Sequence, residues 1–308
     1  MINGIINIYK EKGYTSHDVV AKMRGILRQR KIGHTGTLDP DAEGVLPVCL
    51  GCGTKLCDML EDSTKEYVAE FRLGLTTDTQ DISGEVLSEH STFGITEEMV
   101  VSVVGSFLGE YDQLPPMYSA KKINGKKLYE LAREGRTVER VPSKIYIHEI
   151  EILSMNLPDI KIRAACSKGT YIRTLCFDIG EKLGTGAVMT KLLRTRAGQF
   201  KIEDAITLAR LEEIRDAEEL LKYVFPVEDA FEKERAVYVK KDSRKLIDNG
   251  NSLFHSSLEE TEPANQNSCW QNGEKVRVYN DEKLFCGLYR YDQDTDCFKT
   301  VKMFPMNE

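Results

Sequence analysis

Three groups of residues in this 308-residue chain put chemically capable side chains at short spacing. The first is Asp39 in Gly33-His34-Thr35-Gly36-Thr37-Leu38-Asp39-Pro40, with Asp41 and Glu43 close behind. An acid before proline is biased toward extended backbone, which can hold a carboxylate clear of a helix. Such a group can serve as nucleophile or base, or simply bond its own backbone in a turn. Its acidic neighbours invite a paired-carboxylate reading of the glycosidase kind. The second group, Cys49, Cys52 and Cys57, has a metal-ligand look. It lacks the partner pair of Cys or His at matching spacing and falls in an apolar stretch, so zinc is not expected. The third is a run of basic residues with tyrosines between them. Segment 117–147 carries net +5 with Tyr118, Tyr129 and Tyr146 interleaved, and segment 161–201 carries net +7. Basic stripes with aromatic residues suit RNA. A phosphate-cradling Gly loop followed by Lys-Ser/Thr is missing, which weighs against an NTPase.

The elements that must position these groups can be read from periodicity. Gly4–Tyr9 reads as an opening strand. Thr15-Ser16-His17-Asp18 has the form of a capping box. Val19, Val20, Met23, Ile26 and Leu27 follow it at helical spacing, opposite a basic face of Lys22, Arg24, Arg28, Arg30 and Lys31. Residues 33–53 form a turn-rich loop running into a buried stretch, a good place for a site. Glu66–Leu73 alternates as a strand, and 97–108 reads as a short helix. Residues 203–235 are acidic, net −6, with a helix expected near 207–222. Short strands are expected at Ala236–Lys240, Lys275–Tyr279, Leu284–Tyr291 and Cys297–Met303, with a long polar loop over Ser256–Asn272.

The length suggests about two domains. The whole chain carries net charge −7, with 41% hydrophobic and 30% charged residues. That excludes a polybasic protein but not a local basic face. No apolar run is long enough for a transmembrane helix, the N-terminus does not resemble a signal peptide, and eight cysteines in a chain this long do not make a disulfide framework. A reduced, cytoplasmic protein is expected.

Five stretches in order carry a family resemblance. They are Lys10-x-x-Gly13-x-Thr15-Ser16; the loop Gly33–Gly51; Lys65-Glu66-Tyr67; Pro115-Pro116-Met117-Tyr118-Ser119-Ala120-Lys121-Lys122 with Gly125, Tyr129, Ala132 and Arg133; and Cys166–Leu175 followed by Leu192-x-Arg194-Thr195-x-x-Gly198. Together they resemble the TruB family, the bacterial tRNA pseudouridine-55 synthases, over roughly residues 3–200. Two departures stand out: Glu11 where Pro is usual, and Leu193 where a second Arg is common.

The resemblance implies an α/β (α+β) pseudouridine-synthase fold with a mixed, largely antiparallel central sheet and an RNA-clamp insertion at about 117–147. It implies a catalytic domain over 1–228 and a small β-rich, PUA-like domain over 229–308. Asp39 would be the catalytic carboxylate, Arg173 its ion-pair partner, and Tyr67 the ring that stacks on the flipped base. Tyr171, Leu192 and Lys10 would bind substrate, and His34 would fill the space the base leaves. Lys121, Lys122, Lys126, Lys127 and Arg133 would grip RNA. One acid suffices in this family, so Asp41 and Glu43 drop out as a catalytic pair. The expected partner is the tRNA T-arm, with a monomeric enzyme and neither metal nor cofactor. The rivals are a guide-RNA-dependent synthase and a non-catalytic RNA-folding protein, and segment 203–235 is a lesser candidate for docking a protein partner.

Overall fold

The computed structural model describes residues 1–123, 125–259 and 270–305. Strand β1 (Gly4–Lys10) leads to helix α1 (Ser16–Leu27). The helix starts where expected: the Thr15 side chain accepts from the Asp18 amide while Asp18 caps the Thr15 backbone in return. Its face of Val19, Val20, Met23 and Ile26 is buried. β2 (Ile32–His34) and β3 (Glu43–Leu50) flank the signature loop, and a short helix α2 (Cys57–Glu61) precedes β4 (Lys65–Leu73). A hairpin of β5 (Leu75–Thr77) and β6 (Val86–Glu89) follows, then α3 (Glu97–Gly105) and β7 (Gly109–Gln113).

The basic insertion holds a two-stranded ribbon of β8 (Lys122–Ile123) and β9 (Lys126–Lys127), followed by α4 (Leu128–Arg133). The chain returns as β10 (Ser143–Asn156) and β11 (Asp159–Cys166). The helix α5 (Ile172–Leu183), the strands β12 (Ala187–Ala197) and β13 (Phe200–Lys201), and α6 (Leu208–Asp216) complete this part. The acidic helix is shorter than the periodicity suggests. It stops at Asp216 because Glu218 adopts φ 58°, a left-handed conformation that cannot continue a helix.

Nine strands form one sheet in the order β1-β3-β12-β4-β11-β10-β7, with β2 on β3 and β13 on β12. Every pairing in it is antiparallel except β3 with β12, where Leu193 faces Glu43 and Arg194 faces Gly44. The backbones approach so closely there that a Cβ on Gly44, at φ +104°, would lie 2.2 Å from the Arg194 carbonyl oxygen. Only glycine fits. This parallel seam separates two helix-covered halves. α1 and α6 bury Ile6, Ile8, Leu46 and Val48 on one side, while α3 and α5 cover Phe71, Ile147, Ile162 and Met189 on the other.

A second sheet of five strands follows: β14 (Arg235–Tyr238), β15 (Leu253–Phe254), β16 (Lys275–Tyr279), β17 (Phe285–Asp292) and β18 (Cys297–Met303), in the order β14-β16-β17-β18-β15. A short helix α7 (Arg244–Asp248) lies between β14 and β15. Neither α7 nor β15 was foreseen from periodicity, since each is too short to show any. This sheet has a core of its own around Tyr289 and Phe298. It also packs Phe285 and Phe304 against Ile5, Val45 and Cys49 of the large sheet. Most of the expected polar loop lies outside the described residues. Among the described residues, no helix is long and apolar enough to cross a membrane, and no group of three or more His, Cys, Asp or Glu is placed to hold a metal ion.

Candidate active site

The loop 35–42 that carries Asp39 is tied down from beneath. Lys10 is fully buried, and its Nζ donates to the carbonyls of Ala42 (2.6 Å), Pro40 (3.1 Å) and Glu11 (3.3 Å). The Ser16 hydroxyl accepts from the Leu38 amide at 2.9 Å, and the Gly13 amide donates to Pro40. The first motif therefore works as a fastener for the loop. Burial lowers the Lys10 ammonium to about 8, with Asp39 and Glu43 pulling the other way. Lys10, expected to bind substrate, stands under the loop and is not among the residues lining the cleft.

Asp39 sits in a cleft of about 740 Å³. Its Oδ2 lies 3.1 Å from Nη2 of Arg173; the Asp39 side chain is 45% exposed and that of Arg173 only 6%. Arg173 is in the first turn of α5, and its fork is spread over several partners. Nη2 also donates to the Tyr118 carbonyl at 2.7 Å, and Nη1 donates to the Thr79 carbonyl at 3.2 Å while facing Asp81 Oδ2 at 3.8 Å. A planar guanidinium suits this multiple grip. Enclosure nonetheless raises the Asp39 carboxyl above the ordinary carboxylate range. Arg173 and Lys10 oppose the rise, and Asp81 and Asp41 add to it. An ion-pair partner by itself would depress that value; enclosure, which leaves no signature in sequence, outweighs it.

Tyr67 comes from β4, is nearly buried, and lines the same cleft. Burial raises its phenol, and the Arg194 guanidinium opposes that by charge and hydrogen bond. Arg194 is 1% exposed. From β12 it donates Nε to the Val45 carbonyl (2.6 Å) and Nη2 to the Gly36 carbonyl (3.2 Å), joining the seam to the signature loop. Lys65 is also buried and donates to the carbonyls of Glu61 and Ser63. Burial, then Arg194, lowers it to about 8. Neither cation has an ion-pair partner among the described residues, and both line the cleft. They make its floor positive. Sequence reasoning gave neither a role, although both lie inside quoted motifs. The clue would have been a basic residue at an inward position of an alternating strand.

The cleft also brings in Tyr171, Leu192, Lys121, Tyr129 and Arg133, with Ser167–Thr170 between them. Lys127 and Arg133 both lie over the Tyr129 ring, 5.3 and 5.4 Å from its centroid. Lys122, Lys126 and Lys127 are carried on the ribbon outside the lining, and Lys122 and Lys126 are exposed. His34 also lies outside the lining, edge-on to His17 at 5.3 Å between centroids. Burial, then His17 and Arg194, lowers His34 to about 4, so it is neutral at physiological pH.

This arrangement pairs an ionisable carboxylate with a buried guanidinium that orients it, beside an aromatic ring and a cationic floor beneath a basic insertion. It can seat a flipped base and attack or deprotonate at the sugar. Residues 24–172 match the family described as TruB family pseudouridylate synthase (N terminal domain), and residues 173–232 match the tRNA pseudouridylate synthase B C-terminal domain. A tRNA pseudouridine synthase B of Lachnoclostridium phytofermentans is 49% identical over 98% of this chain and 100% of its own length. One from Clostridium tetani is 45% identical over 98% of this chain and 99% of its own. Among solved structures, a chain in an H/ACA ribonucleoprotein bound to a substrate RNA containing 2'-deoxyuridine superposes with TM-score 0.70 at 27% identity, covering 99% of this chain and 86% of that one. A chain in a Cbf5-Nop10-Gar1 complex gives TM-score 0.71 at 29% identity, covering 98% and 85%.

Proposed function

The chain belongs to the TruB family of pseudouridylate synthases, and from that premise we propose that it isomerises the T-loop uridine of tRNA to pseudouridine, with Asp39 as the catalytic carboxylate. The observation that carries the reading is the Asp39–Arg173 pair, 3.1 Å apart at the floor of a basic cleft. The target base must leave its stack, at a cost of a few kcal/mol. Asp39 then acts on the nucleotide, and the glycosidic bond breaks with its electron pair leaving on the uracil. Lys65 and Arg194 supply the positive surroundings that such an anion needs. Tyr67 and Leu192 enclose the ring while it turns and rejoins through carbon, and the proton displaced from that carbon passes to a base. The Tyr67 hydroxyl, facing Arg194 in the cleft, is available to relay that proton, and the freed ring nitrogen takes one up.

The stand-alone enzyme is favoured over the guide-RNA-dependent one. The relatives at 45–49% identity carry the tRNA synthase name over the whole chain, whereas the ribonucleoprotein chains share 27–29%. The protein acts as a cytoplasmic monomer without metal or cofactor, the 1–228 part performing the chemistry and the 229–308 part adding RNA contacts of the PUA type. Incubating the purified chain with an unmodified tRNA transcript, with no guide RNA, should give pseudouridine at the T-loop uridine alone when mapped at nucleotide resolution. Product elsewhere, or only with a guide RNA, would sink the reading.

The ribbon lysines should matter through charge. Lys126→Glu with Lys127→Glu should weaken tRNA binding at least about 10-fold and reduce the slope of log affinity against log salt by about 2, one for each lost phosphate contact. Glu212→Lys with Glu213→Lys, on the exposed face of α6, should change affinity less than about 2-fold. A salt titration of binding by both variants checks this.

A further inference from the structure

Gln113 is the last residue of β7 and is 1% exposed. Its side-chain amide brackets one peptide unit on each side of Tyr171: Oε1 accepts from the Tyr171 amide at 2.8 Å, and Nε2 donates to the Tyr171 carbonyl at 3.0 Å. The second Nε2 proton goes to the Tyr111 hydroxyl at 2.7 Å, and that hydroxyl donates to Asp178 Oδ2 at 3.0 Å. The polarity of this chain is forced. Burial raises the Asp178 carboxyl to about 6, so at neutral pH it is mainly ionised and can only accept; Tyr111 then donates to Asp178 and accepts from Gln113. A flipped amide would set its oxygen against the Tyr111 lone pairs and its NH2 against the Tyr171 N–H. Only one orientation of Gln113 satisfies every group.

What the amide holds is the start of α5. Tyr171 is the N-cap residue of that helix, and it has no side-chain cap bond of its own. Its ring lines the cleft, and Arg173 follows two residues later. We propose that Gln113 is a positioning residue for the reaction: by clamping both backbone groups of Tyr171, it sets where the Tyr171 ring and the Arg173 guanidinium stand relative to Asp39. This rests on the reading that Asp39 and Arg173 serve the chemistry. Tyr111 anchors the amide from behind, and because Asp178 lies on α5 its bond to Tyr111 is a second tie between β7 and that helix; neither residue lines the cleft.

Gln113→Leu keeps the volume and removes every hydrogen bond. Misplacing reacting groups by a fraction of an ångström lowers the rate of the chemical step with little effect on affinity, so kcat should fall about 30-fold or more while KM for tRNA changes less than about 3-fold. Tyr111→Phe removes the anchor of the amide and the second tie to α5, leaves both Gln113–Tyr171 bonds in place, should fold readily, and should lower kcat about 3- to 10-fold with KM unchanged. Asn280→Ala is the control for lost burial. Its side chain bonds the backbone of Glu282 and Leu284 in the second sheet, and it should lower the melting temperature and leave kcat within about 2-fold. If Gln113→Leu is folded with wild-type kcat, or if Gln113→Leu and Asn280→Ala lower kcat alike at matched melting temperature, the assignment is overturned. If Gln113→Leu does not fold, wild-type kcat in Tyr111→Phe overturns it. Full activity in Asp39→Ala would instead overturn the reading beneath it.

Discussion

Asp39→Ala should bind tRNA within about 3-fold of the wild-type affinity and form pseudouridine at least about 10,000 times more slowly, as loss of an essential reacting group does. Two features separate the losses. The exposed lysines of the ribbon, the Lys127–Tyr129–Arg133 group and the cationic floor do not depend on Asp39. Affinity for a polyanion should therefore survive. Asp81, on the far side of Arg173, is poorly placed to stand in: its Oδ1 is already engaged by Thr79 and Ser83 while its Oδ2 faces Arg173. The measurement is single-turnover product formation with enzyme in excess, beside filter binding of the same tRNA. Appreciable product from the variant would falsify the assigned role.

Arg173→Met should be the next most damaging change, lowering kcat about 100- to 1,000-fold, in the range seen when one preorganised charge-stabilising donor is lost. It should also move the pH profile. Enclosure already holds the Asp39 carboxyl above the ordinary carboxylate range, with Arg173 the largest opposing influence. A reaction needing the carboxylate is therefore fully active above that raised value, and is lost as pH falls through it. Removing Arg173 raises the value further, so the acid limb of kcat/KM must shift to higher pH. A limb that moves down or stays put would show that Arg173 does not act on Asp39. Arg173→Lys should recover little. One ammonium cannot bridge Asp39, the Thr79 carbonyl and the Tyr118 carbonyl together.

The residues that line the cleft were legible, because a motif preserves the order of side chains that converge. Asp39, Tyr67, Leu192 and the Tyr171–Arg173 pair reach one cleft from four separate segments. The residues that hold them in place were harder to read. Lys10 looks like a ligand in sequence, since nothing in a string of letters shows that three carbonyls surround its ammonium. Arg194 reads as one more surface charge, yet it is among the most deeply buried side chains of the molecule. Gln113 precedes Leu114-Pro115-Pro116 and carries no charge to draw notice. The fold class followed from the family pattern. The parallel seam did not, because a Gly next to an acid has many explanations until the opposite strand is in place.

The basic insertion leaves the large sheet after Gln113 and rejoins it at Ser143, and these two residues face each other as the last rung between β7 and β10. Between them the segment is held again where Arg173 donates to the Tyr118 carbonyl, and the ribbon beyond Lys121 projects from there. Such a graft point is indifferent to cargo length: doubling the segment would add only about 0.6 kcal/mol of closure entropy and shift no strand register. The ribbon beyond Lys121 can therefore be lengthened or trimmed while Tyr118, and with it the grip on Arg173, stays as it is. Evolution can edit specificity here by insertion and deletion, leaving point substitution to the cleft.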